Sequence, residues 1–322
     1  METAISGFVL GAIIGSFIKA LADRSLKNKS FWGRSYCENC KHKLNWYDLI
    51  PIISFIIIRG KCRYCRKKIS PEYLIIEVVV GLLTGFLFWQ YFQKFPISVI
   101  IEGSIFSFPV LTSLLDLLFK VFFISVLTAL FLTDMKEMLI PDRIVLPAIL
   151  VSFFYQISIT LYKIGYLYYS LNQTILGRKL LPPFSDYFQR HALIIAEPLF
   201  GSILMAILIG GFFMSLIIIT KGKGMGGGDV KLGILMGLAL GFPYSLAALV
   251  LAFFSGAVAA VILLFARKKH FGQSIAFGPF LVLGSLLILF SGDLIISWYL
   301  GDRKSTRLNS SHSAKSRMPS SA

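Results

Sequence analysis

Acidic residues are scarce in this chain. Only 16 Asp and Glu stand against 32 Lys and Arg in 322 residues, and charged residues of both signs make up just 15%. A water-soluble domain carries about a quarter of its residues as charges, so this composition argues against one. Alternation of apolar and polar residues over stretches of about ten is also missing, which makes an outer-membrane barrel a poor description. Cysteine is limited to four residues, all between positions 37 and 65. That excludes a disulfide framework spread along the chain and points to one local metal or redox unit. No basic residue precedes the first apolar run: "METAISGFVLGAIIGSFIKALADR" begins acidic and ends basic, the reverse of a cleaved secretory signal. Ile5 to Ala22 therefore reads as a retained first span.

What the chain has in abundance is apolar sequence. It is 56% hydrophobic, its mean hydropathy is +0.75, and runs of about 20 apolar residues recur, long enough to cross a bilayer as helices. The expected fold is an all-α polytopic membrane protein of about eight transmembrane helices, near 4–22, 72–93, 111–133, 143–166, 193–220, 229–241, 243–266 and 275–299. The sixth is short and nearly continuous with the seventh past Gly241 and Pro243, so the count is open by about one. The net charge of +16 is explained by topology before nucleic acid. Eight passes from an outside N-terminus put the basic segment 24–68, Lys136 and Arg143, Lys221, Lys223 and Lys231, and "ARKKH" at 266–270 on the cytoplasmic side. The outer segment 94–110 has only Lys94; the other, 167–192, carries Arg178, Lys179 and Arg190 and, with "LPPFSDYF", reads as a small ordered insertion. "LIPIISFIII" (49–58) is too short to span and is expected to lie at the interface or to re-enter. The polar, Ser-rich stretch 302–322 is expected to be non-native or disordered. The expected units are thus a first span (1–22), a cytoplasmic metal-binding segment (23–71), a transmembrane catalytic region (72–300) and this tail.

Two features carry chemistry. "CENC" and "CRYC" set Cys37, Cys40, Cys62 and Cys65 as two C-x2-C pairs separated by 21 residues. That spacing suits a four-thiolate zinc site with every ligand supplied by protein, hence a structural one. Disulfides are the alternative, disfavoured on a cytoplasmic loop. His42 adjoins the first pair and is read as solvated or as a neighbour of the ligands. The segment 24–68 holds twelve basic residues against Glu38 and Asp48, so anionic lipid headgroups are its natural partner; nucleic acid is not expected on a loop held against a membrane.

The second feature is a pair of aspartates. Asp134 ends the third span in "LTDMKEMLIPD", and Asp229 begins the sixth in "KGMGGGDVKL". Span counting puts both at one depth on one face. Two carboxylates brought close cannot both ionise cheaply, so they share a proton. The ionised member can then take a proton from water while the protonated one polarises a scissile carbonyl. Gly224, Gly226, Gly227 and Gly228 would allow positive φ and close approach of an extended peptide. Singly, Asp229 could be no more than a helix cap and Asp134 no more than an interfacial charge.

Together these residues resemble the bacterial prepilin peptidase family, the type IV prepilin-like leader peptidases. "CENCKHKLNWYDLIPIISFIIIRGKCRYCRKKISPEYLIIE" is similar to that family's tetracysteine domain, "TDMKEMLIPD" to its first aspartate motif, "GMGGGDVKL" to its G-x-G-D motif and "AFGPFLVLG" to the entry of its last span. "GSFIKALADR" departs from the family's usual pattern, with Lys19 where Asn is common. The resemblance implies cleavage of the basic leader of prepilins or pseudopilins at the cytoplasmic face of the bacterial inner membrane. It also implies N-methylation of the new terminus with S-adenosylmethionine, with Asp134 and Asp229 catalytic and the four cysteines as metal ligands. The cofactor site is not placed by the sequence; Glu77, an acid inside the second span, is a weak candidate against the plainer reading of a snorkelling side chain. The alternatives are a peptidase without methyltransferase activity and a non-catalytic transporter or scaffold with cation-binding aspartates.

Overall fold

The structure is a computed structural model describing residues 2–27, 29–31, 33–37, 39–94, 107–222, 226–265 and 276–315; of Lys94 and of 299–315 it describes the backbone alone. Lys223, Gly224, the segment 266–270 and most of the expected outer loop 94–110 lie outside these residues.

The described chain is helical: α1 (Glu2–Leu26), α2 (Ile53–Ile57), α3 (Glu72–Lys94), α4 (Phe108–Glu137), α5 (Asp142–Asn172), α6 (Ile175–Arg178), α7 (Tyr187–Ile219), α8 (Gly227–Leu240), α9 (Tyr244–Phe265) and α10 (Gly278–Lys315). Apart from two isolated bridges in the cysteine segment, no strand pairing occurs among the described residues. In lipid every backbone group must be satisfied within the chain, which is what a helical bundle does.

Among the described residues, seven helices (α1, α3, α4, α5, α7, α9 and the first part of α10) are long and apolar enough to cross a membrane. The short α8 accounts for the difference from eight. Its 14 residues span about 21 Å, less than a hydrocarbon core of about 30 Å. It still joins the two ends of the bundle. Near its start Gly228 packs on Ile140, and past its end Gly241 packs on Ser202 of α7. Next, Tyr244 at the start of α9 donates its hydroxyl to Asp293 Oδ1 at 2.6 Å, fifteen residues along α10 from Gly278, which sits against Asp134. α8 can be short because protein surrounds it: Leu232, Leu235 and Met236 are at most 1% exposed.

Two close helix pairs set the frame. On α1, Gly7, Gly11 and Gly15 recur every four residues and face α3, where a Cβ on Gly11 would lie 2.6 Å from the Val80 carbonyl oxygen. Small residues in this spacing let membrane helices approach backbone to backbone. On α8, a Cβ on Gly237 would meet the Ala206 nitrogen of α7 at 2.5 Å.

The connection between α5 and α7 is ordered, as its composition suggested: Thr174 caps α6 by accepting from the Gly177 N–H at 3.0 Å. α10 continues as backbone helix to Lys315.

Gly11→Leu drives a branched side chain into the α3 backbone. It should cost at least about 1–3 kcal/mol, read as a lowered thermal unfolding midpoint in detergent, whereas Gly165→Ala, at an open position, should stay near the parent.

Candidate active site and metal centre

The two aspartates are brought together. Asp134 lies in the last turn of α4, which ends when Met138 turns left-handed (φ 49°) and donates its N–H to the Asp134 carbonyl at 2.9 Å. That turn folds Ile140 back over the site, where it fills the space beside Gly228 and reaches Gly278. Asp229 is the third residue of α8. Its carboxylate receives the backbone N–H of Gly226 and feels the charge of Asp134. Gly226, not Asp229, is the N-cap of α8, and no side chain caps it. The Asp134 carboxylate receives the Gly278 N–H, while its Oδ2 is buried without a hydrogen-bond partner among the described residues. The aspartates are only 6% and 9% exposed, and such burial of ionisable groups marks functional sites.

The glycine run does not work as expected. Gly226 has φ −86° and Gly227 and Gly228 are already helical, so none of these three uses the left-handed region. Gly228 is needed because Ile140 occupies the place of its side chain, with 2.9 Å from a built Cβ to Ile140 Cβ. Gly226 and Gly227 are exposed with open space around them, which leaves their backbone free for an incoming strand. Lys231, two residues beyond Asp229, pairs with Asp142 at the start of α5.

The four cysteines also converge. Their Sγ atoms all lie within 4.8 Å of one another, and Cys37 and Cys65, from different pairs, are 3.8 Å apart. A tetrahedron with metal–sulfur bonds of about 2.3 Å has edges of about 3.8 Å, and a disulfide would need about 2.05 Å. The two halves are built alike. Cys37 N–H donates to the His42 carbonyl at 3.0 Å and Lys41 N–H to the Cys37 carbonyl at 2.9 Å; Cys62 donates to Lys67 at 2.8 Å and accepts from Arg66 at 2.9 Å. Lys41 and Arg66 close the two turns with φ of 59° and 55°. Burial alone would push the Cys37 thiol up, but backbone N–H groups of Cys40 and Asn39 bring it down to about 7. The Lys67 N–H favours the Cys65 thiolate, yet burial and the neighbouring sulfurs outweigh it and raise Cys65 to about 11. A cation at the centre is what would let all four ionise. His42 is exposed and packs on Tyr64 with the rings tilted by 34° and their centroids 3.7 Å apart.

Glu77 is 6% exposed and accepts the Ile52 N–H at 2.7 Å, so it ties the cysteine segment to α3. It also borders a cavity of about 280 Å³ between that segment and α1 and α3, together with Asp23, Tyr36, Asp48, Phe55 and Tyr73.

Sequence reading missed a four-charge cluster. Lys19, 2% exposed, reaches Asp23 at 2.8 Å and Glu72 at 3.0 Å; Lys136 reaches Asp23 at 2.9 Å and Glu72 at 3.0 Å. The i,i+4 spacing of Lys19 and Asp23 was the available signal; the partners from α3 and α4 were not visible along the chain.

Comparison with known proteins places these features. Residues 9–91 match the family model described as the bacterial peptidase A24 N-terminal domain, and residues 187–261 match that of the type IV leader peptidase family. The chain belongs to the type IV leader peptidase family. The four cysteines and Glu77 fall in the first match and Asp229 in the second; Asp134 lies between them. The family's relatives include a Bacillus subtilis protein, 28% identical over 294 residues (91% of this chain, 96% of the relative), and one from Vibrio cholerae, 26% identical over 298 residues (88% and 94%). A third, from Stutzerimonas stutzeri, is 26% identical over 273 residues (84% and 76%). All three are named prepilin leader peptidase/N-methyltransferase. No solved structure matches. As a member of the leader peptidase family the chain is a multi-pass membrane peptidase, and its clustered cysteines are able to hold a metal.

The full chain purified without chelator should carry about one divalent metal ion, measured by elemental analysis. Cys62→Ser with Cys65→Ser should abolish it, and the loss should free thiols to alkylation.

Proposed function

We propose that this protein is an aspartyl endopeptidase that removes the basic leader from type IV prepilins or pseudopilins at the cytoplasmic face of the inner membrane. The observation that carries this is the burial of Asp134 and Asp229 together at one end of the bundle, next to an exposed glycine backbone. Two such carboxylates share one proton. The ionised member accepts a proton from water as the water attacks the scissile carbonyl, and the protonated member donates its hydrogen bond to the developing oxyanion. Collapse of that intermediate breaks the C–N bond, with the amine leaving group taking up the proton. The unpartnered Asp134 Oδ2 is the atom free for water or carbonyl, and the N–H of Gly278 orients its carboxylate. Exposed Gly226 and Gly227 would pair with the substrate strand. Burial at the end of the bundle argues against transport, whose carboxylates gather near the bilayer midplane.

The same protein is proposed to methylate the new N-terminus. S-adenosylmethionine would supply an electrophilic methyl group. The cavity against Glu77 offers what such a cofactor needs: carboxylates of Glu77 and Asp48 for its cationic groups and rings of Tyr36, Phe55 and Tyr73 for its base. Zinc is the metal proposed for the cysteines, where it would fix the wall of this cavity without touching the peptide.

Two experiments test these readings. Co-expressed with a prepilin, Asp134→Ala and Asp229→Ala should each cut processing by at least 10²–10⁴-fold, on the order of a lost acid or base, as seen by gel shift; processing that survives either change refutes the pair. Intact mass of the mature product should show one added methyl group with the parent and none with Glu77→Gln, while leader removal continues. Separately, Gly278→Ala would press a methyl group against Asp134 Oδ2 and should lower the cleavage rate with little change in expression.

A further inference from the structure

The five-residue helix α2 has two faces with different fates. Ser54, Phe55 and Ile58 line the cavity beside α1 and α3. On the other side Ile53, Ile56 and Ile57 are 56%, 63% and 68% exposed, and Trp46, in the 3₁₀ turn Trp46–Leu49 just before it, is 77% exposed. This second face is mostly uncovered by protein among the described residues.

Its height is fixed by an unusual attachment. The N–H of Ile52 donates to the Glu77 carboxylate at 2.7 Å, and Ile52 itself sits at φ 62°, ψ −55°. A β-branched residue seldom occupies positive φ, and such strain persists only where the surroundings impose it. Glu77 lies five residues beyond Glu72, about 7 Å further along α3, and level with Gly15 of α1, whose built Cβ comes 3.0 Å from Glu77 Cα. Its side chain leans back toward the helix start, as side chains on helices do. The Ile52 N–H is therefore held within about 7 Å, measured along α3, of Lys19, Asp23, Glu72 and Lys136, the charges at the ends of three helices long and apolar enough to cross a membrane. Immediately after α2 come Arg59 and Lys61, and Lys41 and Lys43 lie on the first cysteine turn; all four are exposed.

We infer that α2 is a membrane-interface anchor: Ile53, Ile56, Ile57 and Trp46 enter the leaflet on the metal-segment side, Arg59 and Lys61 meet its anionic headgroups, and Glu77 sets the depth. Three features select the bilayer over a protein partner. The segment is tethered at both ends to helices that already cross it, the apolar face sits at the level of the headgroup layer, and a basic rim borders it. Interfacial segments bind in this way, by shallow apolar burial plus attraction to anionic lipid. The cavity lies on the other face of the same helix, so anchoring would close it from the membrane side. This inference does not depend on leader cleavage.

The test uses the full chain in vesicles of phosphatidylcholine with phosphatidylglycerol. Trp32, Trp89 and Trp298 are changed to Phe, leaving Trp46 as the only emitter. A second protein also carries Trp46→Phe and Ile57→Trp. Both tryptophans should emit at shorter wavelength than free indole, be quenched severalfold more by lipid brominated near the headgroup than by lipid brominated near the chain end, and resist aqueous iodide. Glu77→Gln should reduce the bromolipid quenching of both, while leaving it unchanged in a control emitting only from Trp89 on α3. Strong iodide quenching with no bromolipid effect overturns the anchor. Shielding from both quenchers also overturns it, and points to a second protein on this face. Trp46 needs no new side chain, so a poorly folding Ile57→Trp leaves the measurement intact.

Discussion

Four charges, two of each sign, meet where α1, α3 and α4 reach one end of the bundle, and much of the molecule depends on them. Lys19 is 2% exposed; without Asp23 and Glu72 it would be a bare ammonium in a low-dielectric setting, at a cost of several kcal/mol. Lys136 closes the square from α4, two residues past Asp134, so the depth of that aspartate is tied to the two helices that flank the cysteine segment. Tyr73 completes the square, with its hydroxyl 3.3 Å from Asp23 and its ring 4.9 Å from the Lys19 ammonium.

The metal segment and the carboxylate pair are thus two stations on one frame. The cysteine segment leaves α1 and returns through α3 on either side of the charge cluster, and the convergence of its four cysteine sulfurs brings the two turns together. The carboxylate pair is carried by α4 and α8 and closed by Ile140 and Gly278. Its protection from water comes from burial of α8, a helix of 14 residues, among other helices. A longer lipid-facing helix could not bring its first turn, with Asp229, so far inside the protein.

Glu77 shows how one residue gains meaning from its surroundings. As an acid inside a span it stood out at once. Its partner is the strained Ile52 N–H, so it is both a latch for the cysteine segment and a border of the cavity. Lys19 shows the reverse case: a departure from a familiar motif became the most buried charge of the cluster once Asp23, Glu72 and Lys136 surrounded it.

Sequence alone determined the membrane class, the helical content and the four-cysteine unit, and it singled out Asp134 and Asp229, because each depends on composition or on short spacings that physics constrains locally. An apolar run of about 20 residues must be a helix in lipid, and two C-x2-C pairs must form turns to share an ion. Tertiary structure decided what spans cannot show. It put Gly227 and Gly228 in the first turn of a helix, with Gly226 at φ −86° and Ile140 in the space beside Gly228. It assembled the charge cluster from three helices and brought Ile52 to Glu77, because side chains 25 to 113 positions apart meet only once helices pack, and packing in lipid follows from close approach at residues such as Gly11 and Gly237 rather than from hydrophobicity.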